Sequence, residues 1–87
     1  MYPTIDLPAT GENIRRLRTE RGLSVREVSQ ALCLSDVQAV YRWQRGETLP
    51  SLDNLLMLGE LFGVPIDEIL VRRAPDAGQP RIEPPVQ

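Results

Sequence analysis

Gln38 and Arg42 stand one helical turn apart in Ser35–Arg45, a segment with a helical pattern, and both side chains end in flat, forked hydrogen-bonding groups. Such groups match the edges of nucleic-acid bases: an amide pairs most naturally with adenine and a guanidinium with guanine. Placed at ~100° intervals, Asp36, Ala39, Val40 and Trp43 fall on one side of this helix. Val37, Gln38, Tyr41, Arg42 and Arg45 fall on the other. The first side is expected to pack and the second to stay open. On the open side Val37 can meet a thymine methyl, and Tyr41 offers a ring and a hydroxyl to sugar or phosphate. Gln38 has a competing use, because it lies three residues after Ser35 and its amide can turn back to the helix cap. Trp43 and Cys33 are read as core and as a small buried apolar residue near a turn.

Other chemistry is scarce. The chain has no histidine and one cysteine, Cys33, so it lacks the residues for a metal cluster, an internal disulfide or a nucleophilic dyad. Neither catalysis nor a cofactor is expected. The net charge of −2 argues mildly against a polyanionic partner. Its distribution argues the other way, since Arg15, Arg16, Arg18, Arg21 and Arg26 outnumber Glu12 and Glu20 around the first helix. All ten basic residues are arginine, which a GC-rich coding bias explains more simply than a need for the guanidinium fork. Met1 to Asp6 has neither a basic start nor an apolar stretch, and the apolar run Leu55-Leu56-Met57-Leu58 is far short of a membrane span. A cytoplasmic protein without membrane partners is expected.

The elements that must position these residues follow from caps and breakers. Residues 1–10, with Pro3 and Pro8, are expected to form an extended arm. Residues 11–71 are expected to form one helical domain. Thr10 caps a first helix that buries Ile14 and Leu17 and stops near Gly22. Ser24-Val25-Arg26-Glu27 is a full capping box for a second helix with Val28 and Leu32 inward, and Ser35-Asp36-Val37-Gln38 repeats that pattern for the third. Ser51 starts a fourth helix that ends at Gly63, and Pro65-Ile66-Asp67-Glu68 opens a short fifth that runs to about Val71. Residues 72–87, with Pro75, Pro80, Pro84 and Pro85, read as a flexible Pro-rich tail.

Ser24–Leu32 and Ser35–Arg45 are thus two helices joined by a turn of a few residues, the helix-turn-helix arrangement that presents its second helix to the DNA major groove. Ile14-x-x-Leu17-Arg18, Gly22-Leu23-Ser24, Tyr41-Arg42-Trp43-Gln44-Arg45-Gly46, Pro50-Ser51-Leu52 and Phe62-Gly63-Val64 occur in that order. This ordered set resembles the phage repressor and Cro family, the XRE-type helix-turn-helix domain. The resemblance implies an all-α, compact five-helix bundle of the lambda-repressor-like type. It also implies that bases are contacted from the third helix, and that the chain is a transcriptional regulator of double-stranded DNA, acting as a repressor on a palindromic operator as a homodimer.

Two positions depart from the family pattern. Cys33 stands where the family usually has a glycine in the turn, so either this turn takes another geometry or the third helix begins later, with Asp36 as its cap. Gln44 stands where the family commonly has a glutamate paired with an arginine of the first helix, here Arg18, so the bond between them should be weaker.

Phosphates are expected at two clamps, Ser24-Val25-Arg26 at the start of the second helix and Arg45-Gly46 with Thr48 after the third. Glu47 would be repelled there unless turned away. On the fourth helix the same wheel puts Leu52, Leu55, Leu56, Gly59 and Phe62 in the core and leaves Met57 and Leu61 opposite, as a candidate dimer seam. The competing reading is a protein-interaction module such as an antitoxin or anti-repressor, with a partner on the third helix or the tail. The acidic balance, Glu47 and the apolar Val37 and Tyr41 favour it.

Overall fold

Asp6 starts the first helix. Its carboxylate accepts the Ala9 N–H at 3.0 Å, and α1 runs over Leu7–Glu20 with Pro8 in its first turn. There the missing proline N–H has no helical partner to lose. In this computed structural model, which describes residues 4–73, the expected arm is therefore shorter than ten residues. Thr10 is not the cap; it is buried within α1, and its hydroxyl accepts the Val71 N–H at 2.9 Å.

α2 spans Val25–Ala31 behind the capping box expected from the sequence, with Ser24 and Glu27 exchanging backbone and side-chain bonds at 2.8 and 3.0 Å. α3 spans Gln38–Gln44 and starts later than the Ser35 pattern predicts. Ser35 caps nothing; the Asp36 carboxylate instead accepts the Gln38 N–H. Asx residues favour this two-residue reach, which competes with a full box. The turn before it holds Cys33 in the left-handed region at φ +58°, exposed and not buried as expected, so the chain adopts the glycine-like geometry without the glycine.

α4 spans Leu52–Phe62, capped by Ser51, whose hydroxyl accepts the Asn54 N–H at 3.2 Å. The expected fifth helix is a single 3₁₀ turn, Ile66–Glu68, so the described residues hold four α-helices and this turn. Its N–H groups reach back three residues, from Glu68 to Pro65 and from Ile69 to Ile66. Beyond it the chain turns to pair with the N-terminus, with Asp6 N–H on Val71 O and Arg73 N–H on Thr4 O, both at 2.7 Å. Arg72 and Arg73 thus belong to this clasp and not to a free tail, and the rest of the predicted tail, 74–87, lies outside the described residues.

Ile14 and Leu17 of α1, Val28 and Leu32 of and beside α2, Val40 and Trp43 of α3, Leu55, Leu58 and Phe62 of α4, and Ile69 form one buried core. Here the wheel for α4 needs correction. Leu58 is buried, whereas Leu52 and Leu56 are 70% and 54% exposed. Leu61, expected outside, is half-buried and packs on the core. Asp53 and Glu60 mark the exposed polar side of α4, and the buried arc of Leu55, Leu58, Gly59 and Phe62 lies opposite them, rotated from the face the wheel selected.

Candidate nucleic-acid interface

The core grips α3 through Val40 and Trp43, and Val37 and Ala39 pack partly against the same cluster. What remains outward is Gln38, Tyr41, Arg42 and Arg45, a stripe at helical spacing. Val37, expected on that open side, is half-buried because it precedes the first turn of the shortened helix and leans on the core. Among the described residues the side-chain amide of Gln38 and the guanidinium of Arg42 make no hydrogen bond, and Arg42 acts on nearby Glu47 by its charge alone. Asp36, placed on the packed side by the wheel, is exposed.

The angle of α3 is set by its contact with α1. A Cβ on Gly11 would lie 2.1 Å from the Trp43 carbonyl oxygen and 2.7 Å from that of Gln44, so only glycine lets α1 approach the end of α3 this closely. Gly46, at φ +77°, ends α3 and abuts the backbone of Leu7 and Pro8. Across the same contact Arg18 donates from Nε to Gln44 Oε1 at 2.9 Å and from Nη1 to Leu23 O at 2.8 Å. The expected link between the first and third helices is present, with a neutral acceptor. Gly11 escaped the sequence reading, although a glycine inside a helical segment is itself a signal of close approach.

The basic first helix is less available than its sequence suggests. Arg15 pairs with Glu12 at 2.9 Å and Arg16 with Glu20 at 3.1 Å. Arg21 donates to Phe62 O at 2.6 Å and lies over the Phe62 ring, tying the ends of α1 and α4 together. No sequence signal marks that latch, because its partner is a backbone carbonyl forty-one residues away. Arg26 and Arg42 are the exposed arginines in α2 and α3 without an acidic partner among the described residues.

Each candidate clamp keeps only part of its donors. At the start of α2 the capping box occupies the N–H groups of Ser24 and Glu27. The first-turn N–H groups of Val25 and Arg26 lie beyond the reach of any intrahelical acceptor and face outward from the helix start. The Val25 side chain is buried, so this residue could contribute its backbone alone. After α3, the Gly46 N–H is held by Trp43 O at 3.0 Å and the Glu47 N–H by Arg42 O at 2.9 Å. Arg45 itself is closed by Glu47, with Nε 2.6 Å and Nη2 3.4 Å from the two carboxylate oxygens. That bond holds the Glu47 carboxyl below its ordinary range, with the charges of Arg45 and Arg42 adding to it, and raises the Arg45 guanidinium. Thr48 is exposed.

The candidate dimer seam also changes membership. Met57 is 46% exposed, as Leu56 and Leu52 are on the other side of Asp53 and Glu60, while Leu61 turns inward. No helix among the described residues is long and apolar enough to cross a membrane, and none of their acidic or cysteine side chains group as a metal site.

The chain is similar to known proteins in sequence and in fold. The sequence profile of the helix-turn-helix family matches residues 14–69. The chain is 36% identical over 59 residues to the HTH-type transcriptional regulator DdrOP3 of Deinococcus deserti. That match covers 68% of this chain but 45% of the relative, so the chain spans about half the relative's length. Among solved structures it is similar to the restriction-modification controller protein C.AhdI of Aeromonas hydrophila, at 33% identity and a TM-score of 0.67, over 74% of this chain and 96% of that one. It is also similar to the BldD DNA-binding domain of S. venezulae, at 27% identity and a TM-score of 0.63, over 75% of this chain and 96% of that one. With the profile spanning most of the chain and the packed helix pair in place, the chain belongs to the XRE-type helix-turn-helix family.

Proposed function

We propose that this protein is a sequence-specific DNA-binding transcriptional regulator in the cytoplasm, a repressor that occupies a palindromic operator as a homodimer. The observation that carries the reading is the outward stripe of α3, where Gln38 and Arg42 stand unpartnered on a helix anchored by Val40 and Trp43. Gln38 and Arg42 read base edges, Tyr41 meets sugar or phosphate, and Val37 contributes at most its half-exposed methyls. Backbone N–H groups of Val25 and Arg26, with Ser24 beside them, position the phosphate on one flank. Arg45, Gly46 and Thr48 flank the other. The names of the relatives, a transcriptional regulator, a controller protein and a DNA-binding domain, support the same reading.

Two copies join through Leu52, Leu56 and Met57, apolar residues of α4 that lie open to water on either side of Asp53 and Glu60. A two-fold dimer then sets its α3 helices about one DNA turn apart, ~34 Å, and blocks the site to other proteins. Selection of bound sites from random duplex DNA by the purified protein tests the proposal. Recovery of a palindromic consensus supports it.

A protein-interaction module, an antitoxin or anti-repressor, is the second reading. The ion pair that closes Arg45 and the internal engagement of most α1 arginines favour it. Failure to recover any site in the selection would favour it further.

A further inference from the structure

We propose that Glu47 is a built-in stand-in for DNA phosphate, a carboxylate that fills the guanidinium fork of Arg45 in the free protein and must leave when a duplex arrives. The inference rests on the DNA-binding reading above. Its geometry is that of a forked pair: Glu47 Oε2 is 2.6 Å from Arg45 Nε, and Oε1 is 3.4 Å from Nη2. Carboxylate and phosphate oxygens compete for this same planar edge, because both present two acceptors at matching spacing.

Three observations make the competition direct. Arg45 ends the outward stripe of α3, so the edge held by Glu47 lies on the face offered to DNA. The backbone of Glu47 is fixed at the α3 terminus by its N–H bond to Arg42 O at 2.9 Å, which keeps the carboxylate beside both Arg45 and Arg42. The pair is also half in water, at 52% and 51% side-chain exposure, where such ion pairs are weak and readily exchanged. Stability gives little reason for an acid at this place. The pair with Arg45 is exposed and contributes little, and the negative end of the α3 dipole offsets part of it. Glu47 therefore lowers the affinity for every duplex, and leaves sequence preference to Gln38 and Arg42.

The test is a double-mutant cycle on the full chain, read as affinity for a short random-sequence duplex titrated between ~50 and ~200 mM salt. Glu47→Gln should tighten binding about three- to tenfold at ~0.1 M salt and steepen the log–log salt slope by about one unit. The gain should be equal on a selected site and should vanish in an Arg45→Ala background. Wild-type affinity and slope in Glu47→Gln would overturn the inference and leave the DNA-binding reading standing. So would a gain that survives Arg45→Ala, because Glu47 would then act as a remote charge and not through the fork. If neither the wild-type chain nor Glu47→Gln binds any duplex, both readings fall. If only Glu47→Gln binds, the stand-in role is supported in its strongest form. Melting curves for the variants should overlay the wild type, since only an exposed pair is lost.

Discussion

Replacing Gln44 with glutamate should stabilise the domain, and the size of the effect follows from the contact it alters. Arg18 already donates to Gln44 Oε1 at 2.9 Å, and its second donor is fixed on Leu23 O, so the guanidinium need not move to meet a carboxylate. Both side chains are half-buried, which limits screening by solvent. The Arg18 bond is already charge-assisted through its guanidinium, so a carboxylate adds only the attraction between opposite charges, about 1 kcal/mol at the upper end of what weakly screened pairs give. Gln44 closes α3, however, and a negative charge at a helix C-terminus costs roughly 0.3–1 kcal/mol. The bond is the larger effect, leaving about 0.5 kcal/mol, or roughly 2–4 °C in Tm for a domain of this size. Calorimetry at neutral pH measures it.

The pH dependence supplies an independent check. Beside Arg18 the new carboxyl would have a folded-state pKa below its unfolded value of ~4.3. The added stability is then present above that value and disappears as pH falls through the folded pKa, so the two proteins should converge near pH ~3. A Tm at neutral pH equal to or below that of the wild type would refute the reasoning. A gain that persists in acid would assign it to something other than the charge.

Alanine at Gln38 or at Arg42 should cost ~1–3 kcal/mol on the selected site and relax preference at one base position each; equal losses on all sequences in a binding titration would remove them as readers. Cys33→Gly should raise stability by up to ~1 kcal/mol in denaturant melts, because left-handed backbone costs a non-glycine about 1–2 kcal/mol and the added chain entropy of glycine offsets part of it. Ser29→Ala should stabilise by about 1 kcal/mol, since its buried hydroxyl has no hydrogen-bond partner and its removal leaves no orphan; a destabilised variant would mean that the hydroxyl is satisfied in solution. Leu56→Glu with Met57→Glu should give a folded monomer that binds its operator weakly, and a double mutant still dimeric by ultracentrifugation would move the seam elsewhere.

Much of the fold was legible where local chemistry is self-sufficient. The Ser24–Glu27 capping box, the Ser51 cap, and Ile14, Leu17, Val28, Leu32 and Trp43 as core all follow from spacing within one turn, and the structure places them so. The Arg18–Gln44 contact was legible through the family resemblance, since no local pattern joins residues 26 apart. The start of α1 was misread because Pro3 and Pro8 suggest an extended arm, whereas proline in a first turn is compatible with a helix and Asp6 supplies the cap. The start of α3 was misread because Ser35 and Gln38 fit a capping box, and the shorter reach of Asp36 prevails.

The sequence by itself determined that this chain is a helix-turn-helix protein, because the α2 capping box, the breakers Gly22 and Gly46 and the apolar spacing of α1 to α3 act over three or four residues and need no partner. Only the tertiary structure decided the engagement of Arg18 and Arg21, whose acceptors Gln44 and Phe62 O lie 26 and 41 residues away. Arg15, Arg16 and Arg45 are paired with acids within about one turn, whereas the side chains of Arg26 and Arg42 carry no hydrogen bond or salt bridge among the described residues. The tertiary structure also decided how much of the apolar arc of α4 is covered, since Asp53 and Glu60 mark the polar side while packing alone buries Leu58 and leaves Leu52 and Leu56 open. Charge and burial are properties of neighbours in space, and a linear pattern specifies neighbours only within the turn it spans.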